Sequence, residues 1–249
     1  MGVARRPGLR RSVRLFAAFR VEQTDPDRFY RTLAGDSVDL VGRHADVAGA
    51  RVLDVGGGPG YFGDAFRAAG ARYAAVESDA AELTARGAPG AGTVRGDALD
   101  LPVADAAVDV CFSSNVLEHV RDPWRMTAEM LRVTRPGGLV LVSFTTWWGP
   151  WGGHETSPWH YLGGRYARER YARRHGREPK NRYGESLFAV RVGPALRWAG
   201  RATGATLLAA YPRYHPWWAA WLVRVPLLRE VLTWNLVLVL RRDEPCPSR

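Results

Sequence analysis

VLDVGGGPGYF, residues 52–62, is the stretch whose reading decides how this chain folds. Val52, Leu53 and Val55 make an apolar run broken by one acid, Asp54, and glycines follow at 56, 57, 58, 60 and 63. An apolar run, a glycine cluster and then the small and apolar residues 61–69 predict strand, tight loop and helix. Glycine takes backbone angles that other residues resist, and its missing side chain lets a ligand touch the backbone. The helix opens with unpaired N–H groups facing the loop, so the crevice suits a nucleotide-like ligand.

Two readings of that ligand are open on these residues. Gly58, Gly60 and Gly63 satisfy G-x-G-x-x-G, a dinucleotide pattern that is weak alone. Asp54, Gly56, Gly58 and Gly60 satisfy D-x-G-x-G-x-G, which resembles motif I of the class I S-adenosylmethionine (SAM) dependent methyltransferases. The next predicted strand, RYAAVE, ends in Glu77, seventeen residues after Gly60. A carboxylate at that strand end accepts from both ribose hydroxyls, and it serves either reading.

Further along, the resemblance becomes specific. Val94-Arg95-Gly96-Asp97-Ala98 implies, by likeness to that family, an Asp97 carboxylate on the adenine amino group and an Ala98 N–H on the ring. VDVCFSSNVLEHV, residues 108–120, resembles the family's fourth-strand region, with apolar departures at Val108 and Cys111. It implies that Ser113 faces the methionine end and Asn115 the acceptor. His119 reads either as a general base or as packing near the adenosine. LRVTRPGG followed by LVLVS resembles the approach to strand five, with a helix stop, a proline and two glycines for a tight turn. These segments match in order over about 90 residues. The resemblance implies SAM as cofactor and a Rossmann-like α/β fold, doubly wound, with helices on both faces of seven strands. Their implied order is 3-2-1-4-5-7-6, strand seven antiparallel.

A length of 249 residues suits one such domain. The expected division is a basic N-terminal arm over 1–24, the methyltransferase domain over 25–242 and a polar tail over 243–249. Acceptor-side insertions are expected at about 145–190 and 212–232. The arm reads as an amphipathic basic helix or a disordered segment. Its Arg10-Arg11 pair precedes an apolar run too short for a signal peptide, and no stretch is long enough to span a bilayer. Asp25-Pro26 starts a helix by cap and first-turn proline, with Gly35-Asp36 as an expected break. Helices are also expected over 80–86, 123–133, 165–182 and 193–203, and strands six and seven at ATLLAAY and NLVLVL.

Residues 145–164, TTWWGPWGGHETSPWHYLGG, are too aromatic for a solvent loop and too glycine-rich for a helix. The family resemblance puts the acceptor pocket here. His154, Glu155 and His160 are the candidates for acceptor contact or proton removal, with Trp147, Trp148 and Trp151 on the acceptor side; aromatic packing within a lid is the competing reading. Methyl transfer is an in-line displacement that gains from holding donor and acceptor aligned, and a hydroxyl acceptor also needs a base. The His154–His160 spacing lacks a third ligand, so no metal is expected.

The net charge of +10 is unevenly spread. Residues 1–20 hold six arginines and no acid, and residues 165–182 hold seven arginines and Lys180 against Glu169 and Glu178. Residues 39–110 are acidic, with eleven acids and six arginines. The basic appendages suit an anionic membrane, a nucleic acid or a phosphorylated substrate; arginine-rich composition alone is the bland account. Residues 217–228 hold Trp217, Trp218, Trp221 and Leu228 with one charge, Arg224. Tryptophan flanked by arginine favours a membrane interface, against a pocket wall or a dimer contact. The expected substrate is thus a small molecule, apolar or lipid-linked, methylated at oxygen or carbon.

Rival classes fit less well. A nicotinamide oxidoreductase needs a set such as Tyr-x-x-x-Lys, and the one lysine, Lys180, has Gly176 four residues earlier. Nucleic acid is disfavoured as a partner, since no Asn-Pro-Pro-Tyr-type strand end or appended RNA-binding motif is present; protein methylation or a non-catalytic membrane module are the remaining alternatives. Two cysteines, Cys111 and Cys246, suggest no disulfide framework and fit a cytoplasmic protein, associated with the inner membrane face if the tryptophan segment docks there.

Overall fold

The computed structural model describes residues 8–22 and 24–244. The start of the expected arm, the last five residues of the expected tail and Cys246 lie outside the described residues.

The chain runs α1 (Leu9–Phe19), α2 (Pro26–Val41), β1 (Arg51–Val55), α3 (Tyr61–Ala68), β2 (Arg72–Glu77), α4 (Ala80–Thr84), β3 (Thr93–Arg95) and β4 (Val108–Ser114). It continues through α5 (Pro123–Val133), β5 (Thr134–Thr145), α6 (Gly164–His175), α7 (Val192–Ala199), β6 (Ala205–Pro212), α8 (Leu228–Leu232) and β7 (Asn235–Arg242). The seven strands form one sheet in the order β3-β2-β1-β4-β5-β7-β6. The first five are parallel, and β7 lies antiparallel between β5 and β6. Order and orientation are those the sequence led us to expect.

Period-two alternation splits each central strand between two cores. Leu53, Val55, Cys111, Leu236, Leu238 and Leu240 pack with Met126 and Met130 of α5 and Val192 and Ala195 of α7. Val52, Val110, Phe112, Val237 and Val239 face Leu15 of α1, Phe29 and Leu33 of α2 and Phe66 of α3. Asp25 and Asp122 cap α2 and α5, each accepting an N–H from three residues on.

Local boundaries differ from expectation for identifiable reasons. The helix α2 runs unbroken through Gly35 and Asp36, because Asp36 is buried and ion-paired rather than solvated. Gly176, at φ 64°, caps α6 at His175, well short of residue 182. The strand β5 starts early: Thr134 pairs with Val108, and the Pro-Gly-Gly run bulges out before Leu139 rejoins at Val110. Residues 217–224 form a 3₁₀ helix.

Candidate functional site

The strand order reverses between β1 and β4, which opens a crevice at their C-terminal ends. The glycine loop forms its floor. Gly56 has φ 81°, and a Cβ there would fall 2.2 Å from Val116 Cγ2. Gly60, at φ 93°, is the N-cap of α3. Beneath the loop, Asp54 is buried; its Oδ2 accepts from Tyr73 Oη at 2.6 Å, while Oδ1 has no partner. Burial pushes the Asp54 carboxyl up to about 7, against the Tyr73 hydrogen bond, which lowers it.

Glu77 closes the near side. Its two oxygens accept from Gly58 N–H at 3.1 Å and Asp79 N–H at 2.9 Å. Asp97 is exposed after β3, with Oδ1 accepting from Leu99 N–H at 2.8 Å, and Ala98 beside it is half-buried. Ser113 is buried, and its hydroxyl donates to the Val55 carbonyl at 2.7 Å, tying β4 to β1.

Across the crevice, the segment after β5 supplies the opposite wall. Asn115 holds a left-handed φ of 57° at the end of β4, and its Oδ1 accepts from Asn235 Nδ2 at 2.7 Å. Trp151 packs edge-on against Phe19 at 4.9 Å and Trp234 at 4.8 Å, joining this wall to α1. Trp148 stacks on Tyr161. Lys180 reaches Glu82 of α4 at 3.0 Å, and the Asn181 N–H and Nδ2 groups both donate to Glu155 at 2.8 Å. The wall is therefore tied down on both sides of the crevice.

Among the sequence candidates in this segment, the histidines separate. His154, His119 and Glu118 come together, each offering a ligand atom within 4.8 Å of the others. His160 and Trp147 do not line an open pocket. His160 is fully buried, with Nε2 facing the Gly149 carbonyl, and Trp147 packs against it and Tyr183. Both are packed in the interior of the segment after β5, against the expectation that they contact the acceptor. Glu155 is occupied by Asn181; those donors hold its carboxyl below the ordinary value although desolvation opposes them. These two bonds tie Glu155 to the Asn181 end of the same segment.

Sequence reading missed a buried network behind the crevice. Arg213 is fully buried and donates to Ser37, Ser114 and Ser143 hydroxyls at 2.6–2.7 Å, with Asp36 at 3.6 Å. Arg11 of α1 holds the same Asp36 and donates to the Arg213 carbonyl at 2.7 Å. One signal was legible: Asp36 falls on the apolar stripe of α2 with Phe29, Leu33 and Leu40.

The methyltransferase-domain family matches residues 53–142. An uncharacterized methyltransferase of Mycobacterium marinum is 57% identical over 247 residues, covering 95% of this chain and 96% of that protein. Another, from Mycolicibacterium vanbaalenii, is 59% identical over 251 residues, covering 97% and 96%. Among solved structures, a SAM-dependent methyltransferase of Mesorhizobium loti superposes with TM-score 0.56 at 21% identity, over 84% of this chain and 98% of that one. The [4+2]-cyclase SpnF superposes with TM-score 0.52 at 19% identity, over 85% and 81%. These two likenesses concern the fold, which hosts more than one chemistry.

Proposed function

Because the chain belongs to the family of class I SAM-dependent methyltransferases, we propose that it methylates a small acceptor, apolar or lipid-linked, at oxygen or carbon. The observation that carries the cofactor half is the unpartnered Asp54 Oδ1 beneath a glycine loop in which Val116 and Ala75 leave no room for a side chain at Gly56 and Gly57. In this reading Asp54 and the loop residues Gly56, Gly58 and Gly60 take the methionine end, with Ser113 beside it. Glu77 exchanges its backbone donors for the ribose hydroxyls. Asp97 offers its second oxygen to the adenine amine, and the Ala98 N–H meets the ring. Asn115, Trp148 and Trp151 flank the acceptor. Bound SAM would supply the methyl group: its carbon–sulfur bond would break with the pair left on sulfur as the bond to the acceptor forms, and the acceptor's proton would pass to a base or water.

This reading has a pH signature. Free Asp54 carries a proton below about 7, whereas the ligand's ammonium group favours the ionised carboxylate. A proton must therefore leave on binding, and affinity falls as pH drops below about 7, by roughly tenfold per unit. Calorimetry of SAM, S-adenosylhomocysteine and NAD across that range checks it. Binding of both SAM ligands with proton release, and none of NAD, is expected. NAD binding alone, or no SAM binding, rejects the cofactor assignment.

For the acceptor, the supporting observation is a basic apolar face. Leu9, Val13 and Phe16 of α1 are exposed beside Arg10 and Arg14, and Trp218, Trp221, Leu227 and Leu228 are exposed beside Arg224. The two segments adjoin, since Arg11 and Ala220 line one cavity of about 210 Å³. We infer a peripheral contact here with an anionic membrane, where interfacial tryptophans and arginines complement the headgroups. Among the described residues no helix is long and apolar enough to cross a membrane. Wild type is expected to float with anionic but not neutral vesicles, and W218S/W221S to stay in the dense fraction. Equal flotation of variant and wild type removes the basis for the contact.

A further inference from the structure

We propose that Glu118, His119 and His154 form a binding site for one divalent transition-metal ion at the acceptor end of the crevice. Two imidazoles and one carboxylate converge, with ligand atoms all within 4.8 Å of one another. Zinc–ligand bonds of about 2.0–2.2 Å in a tetrahedral site put ligand atoms roughly 3.5 Å apart, so the widest pair would close by up to about 1.5 Å on binding. The set suits Zn²⁺ or another imidazole-binding divalent ion, and three protein ligands leave positions open.

The surroundings orient the donors. His119 Nδ1 lies 2.7 Å from the Ser186 carbonyl. A carbonyl only accepts, so Nδ1 carries the proton and Nε2 presents its lone pair. Metal-bound histidines are typically oriented in this way. Glu118 is buried; its Oε1 accepts from Thr145 N–H at 2.9 Å, and Oε2 has no partner. His154 Nδ1 is likewise buried and unpartnered. Two orphaned buried polar atoms in one cluster are costly unless something binds them. His154 also holds a left-handed φ of 49°, and such strain in a non-glycine residue clusters at ligand sites. The His119 and His154 rings meet edge to face at 5.0 Å.

The site rests on these three residues alone; its use in catalysis rests on the methyltransferase reading. An acceptor hydroxyl bound in an open position would lose its proton to water more readily. The methyl carbon would then bond to that oxygen as its bond to sulfur breaks, the electron pair remaining on sulfur.

The test uses the full-length protein, stripped by a chelator and dialysed. Zn²⁺ is titrated against a chromophoric chelator, and Co²⁺ is followed by its visible absorption. One equivalent should bind, with a ligand-field spectrum of nitrogen and oxygen ligands. H154A and E118Q should each weaken binding by at least the roughly 10–100-fold that loss of an outer-sphere partner costs. H175Q, at the exposed end of α6, should leave it unchanged. No stoichiometric uptake by wild type overturns the proposal, as does equal uptake by folded H154A and E118Q. SAM calorimetry on the same samples separates the two readings. Metal uptake without SAM binding rejects only the enzymatic reading, and SAM binding without uptake rejects only the metal site.

Discussion

Replacing Asp36 with leucine is expected to cost about 3–5 kcal/mol of folding stability. Asp36 is the carboxylate shared by two guanidiniums, Arg11 and Arg213, and its side chain is fully buried. Leucine keeps the volume and suits the helix, so propensity does not account for the loss. What changes is charge: Arg213, with no exposed surface, would face Arg11 without a counter-ion. Its bonds to Ser37, Ser114 and Ser143 are to neutral hydroxyls and cannot neutralise it. Removing one member of a buried ionic set strands the other, whereas replacing the set by apolar groups is often tolerated. D36L/R213M should therefore recover part of the loss, although the serine hydroxyls then lack their donor. Urea unfolding of wild type, D36L, R213M and the double variant forms the cycle. A loss under about 1 kcal/mol in D36L, or no recovery in the double variant, would show that the ion pairing contributes little. The network spans α1, α2, the ends of β4 and β5, and the residue after β6, so it also sets the position of the arm beside the crevice.

E77A is expected to weaken SAM binding by about 100-fold while leaving stability nearly unchanged. Glu77 stands at the end of β2 with both oxygens on backbone N–H groups of the crevice. Two hydrogen bonds from ribose hydroxyls to a carboxylate contribute about 1.5–3 kcal/mol each. Some of that offsets the loss of the existing bonds, and a net of about 3 kcal/mol corresponds to the stated factor. Gly58 and Asp79 are not buried, so their N–H groups turn to water in the variant. E77Q keeps one acceptor and the shape, and should lose roughly tenfold. Calorimetric titration of SAM decides the matter: E77A within about threefold of wild type would mean the ribose is held elsewhere.

The frame of the fold was legible because it is written in local patterns. The apolar run and glycines of residues 52–62 specify strand, loop and helix within eleven residues. Alternation in β4 and β7 tells which side chains share a face, and the match of successive segments to one family supplied the strand order. The candidate residues Asp54, Glu77, Ser113 and Asn115 could be grouped from the sequence because each lies at or near the C-terminal end of a strand, beside the crevice. Boundaries failed where a long-range partner changed the local choice, as at Asp36.

The arrangement of the segment after β5 was decided by tertiary structure. His154 and His160 look equivalent in sequence, six residues apart, yet one joins Glu118 and His119 while the other is sealed against Trp147. Lys180 closes on Glu82 across 98 residues, and Arg213 reaches Ser37 across 176. Periodicity tells which face a side chain takes, because backbone geometry repeats over a few residues. It does not tell which distant chain segment will meet that face. Pairing of buried charges and imidazoles is settled by packing between segments far apart in sequence, and that information exists only once the chain has folded.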